Sequence, residues 1–239
     1  DNPNNSPAYL GNLQKLTGVM KERLVDGRWV QAEGAIFDEY DPQIHMIDAK
    51  DCPPFIRRYR AVDFGYSNPF VCQWWGEDAD GRLYRYREIY QTKRLVEDIT
   101  KQIITLSEGE HIEENIADHD AEDRATMSRH GIDTLPARKD VASGLQAVKG
   151  RLKVQSDGKP RLYFVRGALV EVDPLLEAEK KPTCTEEEMT GYAWQKYPDG
   201  KPNKEQPVKI NDHGCDTMRY MVKHVEDTFR SELVDNPWG

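Results

Sequence analysis

One stretch limits what this chain can fold into: Arg60-Ala61-Val62-Asp63-Phe64-Gly65-Tyr66-Ser67-Asn68-Pro69, with the apolar runs on either side of it. Tyr59-Arg60-Ala61-Val62 has the composition of a buried strand, and Asp63 closes it. Gly65, Ser67, Asn68 and Pro69 are residue types that turn a backbone. Phe70 to Trp75 reads as a second strand, Asp78-Ala79-Asp80-Gly81 as a turn, and Leu83 to Tyr90 as a third strand. The expectation is a three-strand antiparallel meander with a carboxylate high on its first strand. An aspartate at a strand end is ordinarily a turn former, so the rest of the chain must decide whether Asp63 carries chemistry.

Downstream, Val96, Ile99, Ile103 and Leu106 recur at three- and four-residue steps, which predicts an amphipathic helix over 93–107. Ile112 to Ala117 reads as a fourth strand with Asp118-His119-Asp120 at its end. Ala121 to His130 reads as a helix closed by Gly131, and Ile132 to Leu135 as a short strand. Val141, Leu145, Val148 and Leu152 mark another helix, and Arg161 to Val165 another strand. Leu169 to Lys180 reads as a helix interrupted at Pro174, and Tyr192 to Trp194 as a short extended piece. Pro198 to Pro207, rich in proline and lysine, reads as a mobile polar loop. Asn211-Asp212-His213 opens a last helix carrying Met218, Met221, Val222, Val225 and Phe229. Near the start, Leu10 to Gly18 reads as a helix and Arg28 to Glu33 as a strand, too mixed with polar residues to hold a core. The chain thus divides into a connector at 1–55, one domain at 56–230 and a tail at 231–239. Its opening, Asp1 to Ser6, reads as a cut from a longer protein. Three antiparallel strands followed by alternating helices and strands favour the α/β class: a mixed sheet covered on both faces, compatible with a ribonuclease H-like fold.

With a net charge of -9 the chain is no bulk polycation, so any contact with nucleic acid must run through a local basic face. Arg57, Arg58, Lys139, Lys149, Arg151 and Lys153 are the candidates for that face. The four cysteines, Cys52, Cys72, Cys184 and Cys215, form no C-x-x-C pair, which argues for free thiols over a zinc site. No run approaches a membrane span, so no membrane partner is expected. There is no G-x-x-x-x-G-K-[ST] phosphate loop, and ATP hydrolysis is not expected of this polypeptide.

Three acidic sites recur at element ends. Asp63 closes the first strand; Asp118 closes the fourth, with Asp120 and Glu122 behind it; Asp212 and Asp216 open the last helix one turn apart, with His213 between them. Singly, each has an ordinary reading: Asp212 as a helix cap, Asp216 as a surface partner of Arg219, Asp118 as a turn residue. Together they make a different case. Carboxylates that converge repel one another unless a cation neutralises them. Hard divalent cations take oxygen ligands, and two ions roughly 3.5–4 Å apart can activate a water and stabilise the leaving oxygen of a phosphodiester. His213 is a candidate for metal binding or proton transfer.

These residues carry a resemblance. Val62-Asp63-Phe64-Gly65 with Asn68-Pro69, Trp74-Trp75-Gly76, Asp80-Gly81-Arg82-Leu83-Tyr84 with Glu88, Ala117-Asp118 with Ala121-Glu122, and Gly144-Leu145 follow in the order seen in the C-terminal nuclease domain of the large terminase subunit of tailed bacteriophages. Asn211-Asp212-His213-Gly214-Cys215-Asp216-Thr217-Met218-Arg219-Tyr220 is similar to that family's Asp-His-x-x-Asp-Ala-x-Arg-Tyr. Trp29, Glu33-Gly34 and Phe37 resemble the family's link between motor and nuclease. The resemblance implies a metal-dependent endodeoxyribonuclease that cuts concatemeric double-stranded viral DNA during genome packaging, in the cytoplasm of an infected bacterial host. It implies two magnesium or manganese ions on Asp63, Asp118 and the Asp212/Asp216 pair. It also implies partnership with an N-terminal ATPase domain of the same protein, the small terminase subunit and the portal. One departure stands out. The family's second motif reads Ala-Asp-x-Ala-Glu-Pro, whereas here Asp120 is inserted and Asp123 replaces the proline, so either Asp118 or Asp120 could be the ligand, with Asp118 preferred. The competing readings are another ribonuclease H-like enzyme, a junction resolvase or integrase-like strand transferase, or a docking module for the portal and motor whose acids are purely structural.

Overall fold

The computed structural model describes residues 34–197 and 202–235, which form two compact units. The elements predicted at 10–18 and 28–33 lie outside the described residues. The larger unit, from Glu39 to Met189 and from Lys209 onward, holds a seven-stranded sheet. At its centre, β2 (Arg57–Asp63), β3 (Phe70–Glu77) and β4 (Leu83–Gln91) form the antiparallel meander, with Asp63 opposite Val71. Both flanks are parallel. β5 (Glu114–Ala117) lies beside β2 and β6 (Leu135–Pro136) beyond it; β7 (Leu162–Val165) lies beside β4 and β1 (Met46–Ile47) beyond that. β3 is buried from Phe70 to Gly76, as befits a central strand covered on both faces.

Among the described residues the helices are α1 (Pro42–His45), α2 (Val96–Leu106), α3 (Ala121–Arg129), α4 (Val141–Leu152), α5 (Pro174–Ala178), α6 (Thr185–Gly191) and α7 (His213–Asp235). Side chains alternate along a strand, and that alternation sorts the two faces. Val62, Cys72 and Ile89 lie in register and pack with Ile99 and Ile103 of α2 and Met127 of α3. Each such buried aliphatic side chain contributes about 1.5–3 kcal/mol. Gln73, one residue from Cys72, turns to the opposite face, where its amide donates to the Gly214 carbonyl of α7. There α7 packs on β2, β3, β5 and α4 and buries Met218, Met221, Val222 and Val225. Asp63, two residues from Ala61, shares the face of Gln73, which is opposite Ala61.

Several elements depart from expectation. The predicted helix over 169–180 shrinks to Pro174–Ala178, because Leu169 instead bridges Glu88 of β4 and the Val170 amide donates to the Glu88 carbonyl. Pro174 starts the helix rather than interrupting it: it sits at the first position, and the Asp173 carboxylate caps Leu175 and Leu176. Ile132 is buried beneath α2 and α3, and the short strand falls later, at Leu135–Pro136. α6 was not anticipated, since Thr185-Glu186-Glu187-Glu188-Met189 carries no apolar period. α7 runs on through Asp235, so residues 231–235 are helix rather than tail. In the smaller unit, Pro202–Pro207 is not a mobile loop but β9, paired antiparallel with β8 (Trp194–Lys196). Beside that hairpin, the Ile36 amide donates to the Tyr192 carbonyl at 2.9 Å, and the Phe37 and Tyr192 rings meet at 5.7 Å.

Candidate metal centre

β2 carries Asp63 at its C-terminal end, 7% exposed. β5 runs parallel to β2 with Ala117 opposite Val62, and the Asp118 amide donates to the Val62 carbonyl at 3.1 Å. Parallel pairing therefore puts the two strand-end carboxylates side by side. On the covering helix, the Asp212 carbonyl accepts from the Asp216 amide at 2.8 Å, so Asp212 stands at the cap and Asp216 one turn on. A cavity of about 370 Å³ is lined by Asp63, Asp118, Asp212, Asp216 and His213, together with Lys139, Lys209, Arg219 and Tyr220. Four carboxylates from three distant segments thus meet in one place. Asp120 faces elsewhere: it is exposed, and its carboxylate caps the Glu122 and Asp123 amides at the start of α3.

The groups in this cavity act on one another. Burial pushes the Asp63 carboxyl up, and the Asp216 and Asp118 charges push the same way, against the hydrogen bond and charge of His213. His213 Nδ1 lies 2.9 Å from Asp63 Oδ2. Burial pulls His213 down, but the Asp63 bond and the charges of Asp63, Glu188 and Asp212 outweigh it and leave the imidazole above its usual value. Asp118 is raised by burial, yet the Lys139 ammonium and the His119 amide bring it below the usual carboxylate range. Burial lifts the Tyr220 phenol, as do Asp63, Asp216 and Asp118. Lys209 Nζ lies 2.9 Å from both Asp212 Oδ2 and Asp216 Oδ2, and Arg219 donates to Asp216 Oδ1 at 3.0 Å.

A buried network behind the cavity, which the sequence reading missed, holds the first turn of α7. Glu188 of α6 accepts from the Cys215 amide at 2.8 Å and from the Tyr90 hydroxyl at 2.5 Å. A carboxyl oxygen on the third amide of a helix satisfies an N–H that the helix itself leaves without a partner. Gln73 bonds Glu88, Thr185 and the Gly214 carbonyl. Gly214 permits this approach, since a Cβ there would collide with Thr185 Oγ1. Glu88, Cys184 and Glu186 form a second cluster of potential ligands, within 4.8 Å of one another. There Arg85 already pairs with both glutamates, so the cluster has its cation.

The six basic candidates do not share a face. Lys139 lines the acid cavity and pairs with Asp118. Arg57 and Arg58 start β2, about 20 Å of strand from Asp63 at ~3.3 Å per residue. Lys149 pairs with Glu39 at 3.3 Å, Arg151 with Glu226 at 2.7 Å, and Lys153 follows α4, exposed. A separate cavity of about 800 Å³ includes Arg57 and Arg151 but none of the four converging aspartates. Its own acids are met by Arg82, Arg151 and Arg57.

No protein-family profile matches the chain, and no curated protein sequence does. Solved structures do. The large terminase of a thermophilic bacteriophage superposes with a TM-score of 0.63 at 24% identity, over 94% of this chain and 53% of that one. The nuclease domain of the P22 large terminase superposes with a TM-score of 0.56 at 17% identity, over 82% and 99%. The nuclease domain of the Thermus phage P74-26 large terminase gives 0.51 at 13%, over 79% and 92%. The fold is that of phage large-terminase nuclease domains. This chain's seven-stranded mixed sheet is consistent with a ribonuclease H-like fold. The chain spans about half the length of the thermophilic-phage terminase it matches. That terminase has also been solved in complex with ATP-gamma-S. Among the described residues no helix is long and apolar enough to cross a membrane.

Proposed function

We propose that this chain is a metal-dependent endonuclease that cuts double-stranded DNA, and that it does so on concatemeric viral DNA during genome packaging. The observation that carries the reading is the convergence of Asp63, Asp118, Asp212 and Asp216 on one cavity within a terminase-nuclease fold. Oxygen donors of this kind fit a hard divalent ion, and the mutual repulsion felt by Asp63 is what such an ion relieves. Those four aspartates, with His213, would hold magnesium or manganese. When bound, two such ions supply activation of the attacking water and stabilisation of the leaving oxygen. The chain's own part is positional. β2 and β5 present Asp63 and Asp118 from rigid strand ends, His213 orients Asp63, and the Glu188 and Gln73 network fixes the turn that carries Asp212 and Asp216. Lys139, which lines the cavity beside Asp118, would contact a phosphate of bound DNA.

The same reading extends to partners: an ATPase domain in the same protein, the small terminase subunit and the portal, in the cytoplasm of the infected host. The match to the thermophilic-phage protein, which takes up about half of a large terminase, supports the first of these. The test is plasmid cleavage by the purified chain in manganese, beside Asp63→Ala with its circular dichroism unchanged. Cutting of linear and supercoiled duplex by the wild type, lost in Asp63→Ala, is expected. Cleavage confined to branched junctions would replace the reading with a resolvase, and cutting that survives Asp63→Ala would remove the acid cavity from the chemistry.

A further inference from the structure

The candidate metal centre already contains cations, and two of them reach it from half-exposed positions. Arg219 is 2% exposed, and a Cβ at Gly144 would collide with its stem at 2.6 Å, so it is packed in place. Lys209 and Lys139 differ: their side chains are 53% and 51% exposed, and they reach the acids from the rim. Lys209 Nζ sits 2.9 Å from one oxygen of Asp212 and 2.9 Å from one of Asp216; Lys139 pairs with Asp118 Oδ1. The oxygens they occupy belong to the carboxylates that would hold a divalent ion. An ammonium and a divalent ion cannot both claim the same lone pairs. A lysine released from a carboxylate at this rim has an obvious second partner, since a phosphate oxygen accepts the same charge-assisted hydrogen bond.

Resting on the metal-centre reading above, we propose that Lys139 and Lys209 are displaceable counter-ions that make DNA and divalent ions bind cooperatively. In the absence of DNA they neutralise Asp118, Asp212 and Asp216. DNA phosphates draw them off and open the carboxylates; an incoming ion frees the ammonium groups for phosphate. Linkage makes the effect reciprocal, each ligand raising the other's affinity by one factor. Long, half-exposed lysines suit this role because their stems can swing without disturbing the core.

The experiment measures Mn²⁺ uptake by electron paramagnetic resonance on the full chain, with and without a duplex made uncleavable by phosphorothioate linkages. Wild type should bind Mn²⁺ more tightly with DNA, by a factor in the range of roughly 5- to 150-fold. Lys209→Met and Lys139→Met should each bind Mn²⁺ more tightly than wild type without DNA, and the gain from adding DNA should shrink. Lys209→Arg, which keeps the charge, should retain the gain; thermal melts check that each variant is folded. Unchanged or weaker Mn²⁺ binding by both methionine variants without DNA, with the DNA effect intact, overturns the inference. Should Asp63→Asn still abolish uptake in that case, the metal centre stands and only the counter-ion role falls. No uptake by wild type under either condition overturns both.

Discussion

Glu188 offers a quantitative check on how α7 is held, through its dependence on pH. The side chain is 1% exposed, with the Tyr90 hydroxyl and the Cys215 amide as hydrogen-bond donors. Burial is the largest influence on its carboxyl and, with the nearby Glu88 charge, raises it from 4.5 to about 8; Tyr90, the Cys215 amide and His213 pull the other way. Between those values the folded protein keeps a proton that the unfolded chain has released. Stability therefore falls as pH rises through this window and levels off above about 8. At about 1.36 kcal/mol per pH unit the ceiling on that loss is about 5 kcal/mol. Glu188→Gln removes the titration and keeps a carbonyl oxygen for the Cys215 amide. The variant and the wild type should be close in stability near pH 5, and the variant should gain by about 2–5 kcal/mol by pH 9. Taking the difference cancels the titrating groups that Glu188 does not touch, and leaves its own titration with its coupling to His213, Cys215 and Tyr90. Urea unfolding at pH 5, 7 and 9, with a constant m-value, reads the gap directly. A gap that does not change with pH, or a wild type that gains on the variant as pH rises, would refute the reasoning.

Three further substitutions separate structural from functional roles. Asp120→Ala should cost about 1 kcal/mol through loss of the α3 cap and leave Mn²⁺ uptake as it was, whereas Asp118→Ala should lose uptake; calorimetry and resonance titration distinguish them. Gly214→Ala would drive a Cβ into Thr185 Oγ1 and to 3.0 Å from the Thr185 Cα, so overpacking should cost about 1–3 kcal/mol, seen as a lower melting temperature.

Local patterns carry local structure, which is why the meander, α2, α4 and the start of α7 could be read from the chain. Val96, Ile99 and Ile103 announce a helix because residues three and four apart share a face, and Gly65 to Pro69 announce a turn because those residue types bend the backbone. α6 and β9 gave no such signal: the first is a run of glutamates, and the second has no alternation of apolar side chains. The acidic residues were legible as candidates, being at element ends, but not which of them would meet. That was decided by parallel pairing of β5 on β2 and by α7 crossing the same face, which brings His213 to Asp63 across 150 positions of sequence. Asp118 entered the cavity while Asp120, two residues on, went to capping a helix, and basic side chains that look alike in the sequence scattered to opposite ends of the sheet. A side chain's chemistry is written at its own position, whereas its neighbours are set by contacts between segments far apart, and those contacts exist only once the sheet has formed.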